Sequence, residues 1–177
     1  MVQQELLSKI IRKLNASGIP YMLTGSMASN YYGNPRMTHD IDIVIQLSQN
    51  DIETIGTLFE KDYYLSKEAL AQAVASQGMF NLIDSAIGMK VDFWLVKNDP
   101  YYQQAFARRK QVHTLGETVS IIAPEDLMIS KRLWAKQSGG SAKQDADIQG
   151  IQNVQNEHLD KAYLQRWQEK LGLDKSS

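Results

Sequence analysis

Two aspartates, Asp40 and Asp42, alternate with isoleucine at the start of the run DIDIVIQL. Residues i and i+2 of a β-strand project from the same face, so the two carboxylates would lie side by side. Adjacent anions repel each other unless a cation lies between them, and Mg²⁺ prefers such hard oxygen ligands. The spacing therefore predicts a magnesium site. The alternative interpretation is that Asp40 only begins the strand and that Asp42 lies at a sheet edge.

A third acid, Asp92, interrupts the apolar run KVDFWLV later in the chain. A lone aspartate in so apolar a strand is costly to bury without a partner. If the two strands are neighbours, Asp40, Asp42 and Asp92 could converge on a metal pair, the arrangement used in two-metal phosphoryl and nucleotidyl transfer. Asp84 is a rival third ligand, but its place before a Ser-Ala-Ile-Gly stretch favours a turn residue.

A glycine and a serine, Gly25 and Ser26, follow the short apolar segment Tyr21–Thr24. They are placed to open a helix, whose free N–H groups and positive dipole end can hold a phosphate, and glycine lets a ligand approach the backbone. The alternative is a plain helix cap with Ser26 as the N-cap residue. The paired acids one strand later favour the phosphate site.

Several basic residues could add contacts to phosphate. Lys131 shares its predicted helix face with apolar neighbours, so its ammonium either reaches a bound triphosphate or extends along that face to water. Arg36 and His39 could also contact phosphate. The alternative for Arg36 is a solvated arginine in a loop, and the alternative for His39 is a side chain that packs at a strand edge. The segment Arg108–Lys110 could bind the phosphate backbone of an acceptor, although a solvated helix end is the preferred interpretation.

Apolar spacing and turn residues divide the chain into helices and strands of a mixed α/β (α+β) protein. The predicted helices cover residues 3–15, 26–33, 48–59 and 67–76, a stretch after Asp99, a helix opened by Pro124, and two further helices beyond the linker 138–141. The predicted strands cover residues 21–24, 41–47, 79–84, 89–96, 111–114 and 119–122. We therefore expect a sheet-containing core in residues 1–123 and a C-terminal helical part, residues 124–177, packed on it.

The composition is that of an ordinary globular chain, with 43% hydrophobic and 22% charged residues. The absence of cysteine excludes disulfides, thiolate metal sites and cysteine nucleophiles. A net charge of −1 gives no global positive field of the kind that indicates nucleic-acid binding. The first residues lack the continuous apolar core of a signal peptide, and no run is long enough to span a bilayer. We expect a cytoplasmic protein without a membrane partner.

Together these motifs resemble the nucleotidyltransferase superfamily of the DNA polymerase beta type. In that superfamily Gly-Ser opens a helix, the next strand carries Asp-x-Asp, and a later strand carries a third acid. The closer resemblance is to the AbiEii-like branch of toxin–antitoxin and phage-defence proteins, which shows a Gly-Gly/Ser-x-Ala helix start, an Arg-x-Thr-x-Asp-Ile-Asp strand and a Pro-Glu-Asp-Leu helix with a lysine. The corresponding segments here are Gly25–Ala28, Arg36–Asp42 and Pro124–Lys131.

The resemblance implies a mixed-sheet nucleotidyltransferase core flanked by helices, two Mg²⁺ ions or Mn²⁺, and transfer of a nucleoside monophosphate from an NTP such as ATP to an acceptor hydroxyl. Asp92 would also help to deprotonate that hydroxyl. The implied residues are Asp40, Asp42 and Asp92 for metal, Gly25, Ser26, Arg36 and Thr38 for the nucleotide, and the three acids with Lys131 for catalysis. RNA and a protein hydroxyl are candidate acceptors, and a cognate antitoxin protein is a candidate partner.

One segment departs from the family pattern, in which a Lys-Asp pair is often followed by a second Asp three residues later. This chain instead has Lys143-Gln144-Asp145-Ala146-Asp147, so the roles of Asp145 and Asp147 stay open. Two other classes of function also stay open, a non-catalytic nucleotide-binding regulatory module and a metal-dependent phosphoesterase. The presence of all three acids weighs against the first, because loss of one is the expected mark of a degenerate site.

Overall fold

The computed structural model describes residues 2–173, which form helices and one mixed sheet. The helices are α1 (Val2–Ser17), α2 (Gly25–Tyr32), α3 (Ile52–Phe59), α4 (Lys67–Ser76), α5 (Pro100–Ala107), α6 (Pro124–Gln137), α7 (Ala142–Gln155) and α8 (Lys161–Lys170). The strands are β1 (Tyr21–Thr24), β2 (Asp42–Ile45), β3 (Tyr63–Tyr64), β4 (Met79–Asp84), β5 (Lys90–Leu95), β6 (Lys110–Thr114) and β7 (Glu117–Ile121). The prediction of a mixed α/β core with C-terminal helices is confirmed. No helix within residues 2–173 has the length and apolar character that a bilayer crossing needs.

The seven strands have the order β3-β4-β5-β2-β1-β7-β6. Strand β2 lies near the middle, antiparallel to β1 and parallel to β5. Strands β4 and β5 form the predicted hairpin, and so do β6 and β7. Because β5 returns to pair with β2, the acids of these two strands come from distant parts of the sequence to one place in the sheet.

The central strands have one buried face and one open face. Ile43 and Ile45 of β2 and Phe93 of β5 are fully buried, whereas the alternating residues Asp42 and Asp92 are partly exposed. Each buried aliphatic or aromatic side chain contributes about 1.5–3 kcal/mol of transfer free energy, so this alternation fixes which face points inward. The apolar side of α1 joins the same core, with its five buried residues Leu6, Leu7, Ile10, Ile11 and Leu14.

The C-terminal helices pack directly on α2 and on the sheet-containing core. At Gly33 and Gly150 the backbones of α2 and α7 approach so closely that a Cβ on Gly33 would lie 2.9 Å from the backbone nitrogen of Ile151. The hydrophobic core contains residues from both sides of the predicted boundary at 123/124, such as Ile122 and Leu127. Helices α6 and α7 can therefore place side chains beside the start of α2.

Arg108 corrects one prediction, because its side chain is not a solvated helix end. Its guanidinium donates to the buried carboxylates of Glu125 and Asp126, at 3.1 Å each, and lies over the ring of Tyr163 at 3.7 Å. Both acids occupy the first turn of α6, where the helix dipole also favours negative charge. Arg108 therefore ties α5 to α6 and α8. Strand β3, which pairs with the edge of β4, was also not predicted, because two residues carry too little alternation to be recognised.

Candidate active site

The two acids Asp42 and Asp92 lie opposite each other in the parallel pair of β2 and β5. Neighbouring strands are about 4.8 Å apart, and in-register residues of a parallel pair project from the same face. The two carboxylates are therefore neighbours on the open face of the sheet. The sequence prediction depended on β2 and β5 being adjacent, and the structure places them so.

Each of the two acids has its own hydrogen-bonding partners. Asp92 accepts a hydrogen bond from the side-chain amide of Asn81 at 2.5 Å and is paired with Lys90 at 3.0 Å. Asp42 accepts one hydrogen bond, from the indole N–H of Trp94 at 3.3 Å. Asn81 and Trp94 were missed by sequence reasoning, although both follow the alternation of β4 and β5 that places them on the face of the acids.

Burial raises the pKa of Asp42, and the neighbouring carboxylates of Asp92 and Asp40 raise it further, while Trp94 and Lys131 oppose them. Negative charge at this point is therefore under-compensated by the protein. A set of hard carboxylate oxygens that repel one another fits a divalent ion such as Mg²⁺, which would replace the repulsion by coordination.

Asp40 lies just outside β2 and is more loosely placed than the other two acids. Its side chain is 63% exposed, and its carboxylate is paired with Lys143 at 3.4 Å. Within the part of the chain that is described, residues 2–173, no group of three or more histidine, aspartate or glutamate side chains is arranged to hold one metal ion. Asp42 and Asp92 are thus brought together, Asp40 stands at their margin, and the three-ligand metal site stays a prediction.

The start of α2 lies directly against Asp42. Thr24, the last residue of β1, is in register with Asp42, so the helix begins beside the acid. Gly25 has φ of +62°, and a Cβ there would overlap the Asp42 carboxylate. The helix N-cap is Thr24, so the prediction of Ser26 as N-cap is wrong, and Ser26 is a buried residue of the first turn. The turn and Asp42 therefore lie side by side.

Replacing Gly25 by alanine should destabilise the protein more than the same change at Gly116. Both glycines have positive φ, a conformation that costs a non-glycine residue about 1–2 kcal/mol, but a Cβ at Gly116 meets no atom within 4 Å. The excess loss for Gly25→Ala measures its collision with Asp42. We expect Gly25→Ala to lower the melting temperature further than Gly116→Ala, in thermal unfolding monitored by circular dichroism. Equal losses in the two variants would contradict the close packing of Gly25 on Asp42.

Arg36, Lys131 and Asp147 form an ion-pair network beside this turn. The guanidinium of Arg36 donates to both oxygens of Asp147, at 2.7 and 2.9 Å, and to the hydroxyl of Ser26 at 2.8 Å. Lys131 donates to Asp147 at 2.8 Å and to the side-chain oxygen of Gln144 at 2.9 Å. Lys131 thus does not extend to water, its contact with a triphosphate stays a prediction, and Asp147 acquires a defined role as its counter-ion.

The network holds more positive than negative charge. Burial alone would raise the pKa of Asp147, but hydrogen bonds and charges from Arg36 and Lys131 outweigh it and hold that pKa at about 2. Burial lowers the pKa of Lys131, and the cations Arg36 and Lys143 lower it further, while Asp147 opposes them. One carboxylate therefore serves two cations, an arrangement that suits an additional anion such as phosphate.

The remaining predicted residues are distributed as follows. Thr38 lies in the loop before β2, where its hydroxyl accepts the backbone N–H of Asp40 at 3.2 Å. His39 and Asp145 are exposed. Asp84 accepts the backbone N–H groups of Ala86 and Ile87, at 2.9 and 3.1 Å, so its prediction as a turn residue is confirmed. Of these four residues, only Thr38 positions the backbone of a candidate site residue.

No protein-family model and no curated protein matches the sequence, but solved structures match the fold. The antibiotic-resistance factor ANT(2'')-Ia has a TM-score of 0.63 at 11% identity, covering 97% of this chain and 94% of that chain. The lincosamide adenylyltransferase LnuA, solved with lincomycin bound, has a TM-score of 0.58 at 14% identity, covering 84% and 95%. A nucleotidyltransferase-like protein from Paracoccidioides brasiliensis has a TM-score of 0.55 at 20% identity, covering 84% and 73%. The chain thus shares the nucleotidyltransferase fold.

Proposed function

We propose that the protein is a Mg²⁺-dependent nucleotidyltransferase that transfers a nucleoside monophosphate from an NTP to an acceptor hydroxyl. The observation that carries the proposal is the in-register pair Asp42 and Asp92, with Asp42 against Gly25 at the start of α2, and the cation Arg36 at Ser26 of the same turn, joined to Lys131 through Asp147. Acids and cations that meet at one helix start suit metal ions and a triphosphate respectively.

The triphosphate would lie along the turn at Gly25 and Ser26. Free N–H groups of the first turn of α2 can donate to phosphate oxygens, and the missing Cβ of Gly25 leaves room for the Asp42 carboxylate beside this turn. Arg36 already donates to the Ser26 hydroxyl, so its guanidinium stands at the same turn. Lys131 acts through Asp147, which holds Arg36 in place; Lys131 is thus a positioning residue in this proposal.

Asp42 and Asp92, joined by Asp40, would hold the metal ions. Bound Mg²⁺ supplies positive charge that stabilises the phosphoryl oxygens and brings the acceptor and the α-phosphate together. In the transfer the acceptor oxygen forms a bond to the α-phosphorus, the bond from that phosphorus to the α–β bridging oxygen breaks, and pyrophosphate leaves. The acceptor proton passes to Asp92, which returns it to water, so the products are the nucleotidylated acceptor, pyrophosphate and a proton.

The acceptor class is a finer part of the proposal. ANT(2'')-Ia has been solved in complex with adenylyl-2''-tobramycin, and the lincosamide adenylyltransferase LnuA with lincomycin bound. Those structures support a small-molecule acceptor for this chain. Membership of the AbiEii-like branch, with RNA or protein as acceptor and an antitoxin partner, is supported by the sequence motifs alone, and the expected cytoplasmic setting by the composition alone.

The test combines nucleotide binding with labelling. Calorimetry with ATP, CTP, GTP and UTP in Mg²⁺ should select one or more nucleotides, and the α-labelled form of these should then label an acceptor in cell extract with release of pyrophosphate. Tobramycin, lincomycin and total RNA serve as defined acceptors in the same assay. Binding without turnover would instead support a regulatory module, and release of orthophosphate would support a phosphoesterase; either result contradicts the proposal.

A further inference from the structure

An apolar row runs across three strands beside the acids. Val44 of β2 is in register with Trp94 of β5, which is in register with Met79 of β4. Asp42, Asp92 and Asn81 form a second row on the same face, two residues away along each of these strands. The two rows are separated by two residues, a distance of about 7 Å along the strands. A molecule lying on the apolar row (Val44, Trp94, Met79) would therefore reach the acids with its edge.

Trp94 is the centre of this row and is 39% exposed. Val44 and Met79 on either side are also only partly buried. Exposed apolar residues are common one at a time, but three that form a continuous strip beside a site mark a contact surface for a ligand. Trp94 also donates its indole N–H to Asp42, so the strip is continuous with the candidate active site.

We infer that the apolar row is the acceptor site, and that the acceptor is a hydroxylated ring compound without phosphate groups. The inference rests on the proposed nucleotidyl transfer. Helix α2, where Arg36 donates to Ser26, continues directly from β1, whereas Trp94 and Met79 of the apolar row lie on β5 and β4, on the other side of β2 in the sheet. In-line transfer requires the acceptor to approach the α-phosphorus from the side opposite to the leaving pyrophosphate. With the triphosphate at the start of α2, we assign the opposite approach to the β5 side of β2, where Trp94 lies.

The charges beside the row decide between a ring compound and a nucleic acid. Among the described residues of β4 and β5, Lys90 is the one lysine or arginine, and it is already paired with Asp92. Phosphate-backbone binding needs several free Lys or Arg contacts, which these strands do not offer. A tryptophan face flanked by aliphatic side chains instead suits the C–H face of a sugar or aliphatic ring, whose hydroxyl then points toward Asp92.

Two substitutions at Trp94 separate acceptor binding from orientation of Asp42. The labelling assay uses the nucleotide that calorimetry selects. Its acceptors are three ring-bearing probes (methyl β-glucopyranoside, tobramycin and lincomycin), the acyclic polyol sorbitol, and a single-stranded RNA. We expect labelling of a ring-bearing probe, and a rise of about tenfold or more in its KM for Trp94→Ala with no change in the nucleotide KM. Trp94→Phe keeps the ring but loses the N–H, so acceptor KM should be retained while kcat falls.

The control is Tyr64→Ala, which removes another exposed aromatic side chain from the edge strand β3 and should leave both KM values unchanged. Preferential labelling of RNA, equal use of sorbitol and ring-bearing probes, or an unchanged acceptor KM in Trp94→Ala would each overturn the inference. The inference would also be overturned if the protein labels a component of cell extract, depending on Asp42, but labels none of the ring-bearing probes. Absence of any Asp42-dependent labelling is a different result, which overturns the proposed function itself.

Discussion

Asp42→Asn will abolish nucleotidyl transfer while making the folded protein more stable. The substitution keeps the shape of the side chain and its ability to accept the Trp94 N–H, but removes the charge that would hold the metal ions. Because stabilisation of phosphoryl charge by a bound metal is worth several kcal/mol and each 1.36 kcal/mol is tenfold in rate, the loss should be about 10³-fold or more. Release of pyrophosphate under saturating nucleotide and Mg²⁺ measures it.

The gain in stability follows from the raised pKa of Asp42. Burial and the neighbouring carboxylates of Asp92 and Asp40 raise the folded-state pKa above the ordinary value of 3.8. Neutral Asp42 thus favours the folded state below the unfolded-state pKa, and this contribution is lost as pH rises through the folded-state pKa. The wild type should match Asp42→Asn in melting temperature in acid and fall below it toward neutral pH, without added metal.

Asp145→Asn is the matched control for both effects. Asp145 is an exposed acid of α7, so its replacement removes one negative charge but leaves the Asp42 and Asp92 carboxylates unchanged. Transfer and melting temperature should stay at wild-type values. Retained turnover in Asp42→Asn would contradict the proposed catalytic role, and a lower melting temperature at neutral pH would contradict the charge repulsion inferred at Asp42.

Asp147→Asn should be the most destabilising of the conservative substitutions considered. The Asp147 side chain is 5% exposed, and its loss of charge leaves Lys131, which is 6% exposed, as a buried cation without a counter-ion. Removing one partner of a buried ion pair costs about 3–5 kcal/mol, which corresponds to a melting temperature lower by roughly 6–20 °C in a chain of this size. Thermal unfolding at pH 7 measures the loss.

The double variant Lys131→Met/Asp147→Leu tests the cause of that loss. Replacing both partners of a buried ion pair by apolar groups removes the uncompensated charge, so the double variant should recover most of the stability lost in Asp147→Asn. Arg36, which is 29% exposed, can be solvated by water once Asp147 is gone. If the double variant is as unstable as Asp147→Asn, packing rather than charge explains the loss.

The same network predicts part of the acid sensitivity. The pKa of Asp147 is about 2 in the folded protein against an ordinary value of 3.8, so its ionised form favours folding above the unfolded value. That contribution is lost as pH falls from about 4 toward 2. The wild type should therefore lose stability in this window more steeply than Asp147→Asn, in chemical denaturation followed at each pH.

Local patterns were sufficient for most of the fold. Strand β1 and helix α4 have the predicted ends, and β2 is confirmed as a shorter strand, Asp42–Ile45. These elements can be predicted because apolar periodicity and the turn residues at the ends of an element are local features of the sequence. The predicted adjacency of Asp42 and Asp92 was a conditional statement, since no local pattern tells which strands pair.

The ion-pair partners of Lys131 and Arg108 were not predicted, for a different reason. Both were considered as cations on a helix, with water or a phosphate as the partner, and both instead pair with buried acids that lie more than a dozen residues away. A charged side chain is placed by whichever opposite charge the fold brings within about 3 Å, and the energy of that pairing is not encoded in the spacing around the residue.

The sequence by itself determined the local features: three aspartates in or next to strands, a glycine-serine turn at a helix start, and the period that gives each central strand one apolar face. The tertiary structure alone decided which of these meet. It paired β2 with β5 so that Asp42 faces Asp92, brought α7 to α2 so that Asp147 joins Arg36 to Lys131, and set Trp94 beside the acids. The physical reason is that secondary structure follows short-range backbone and burial preferences, whereas a site is built from contacts between residues far apart in the chain, which only the packing of the whole core fixes.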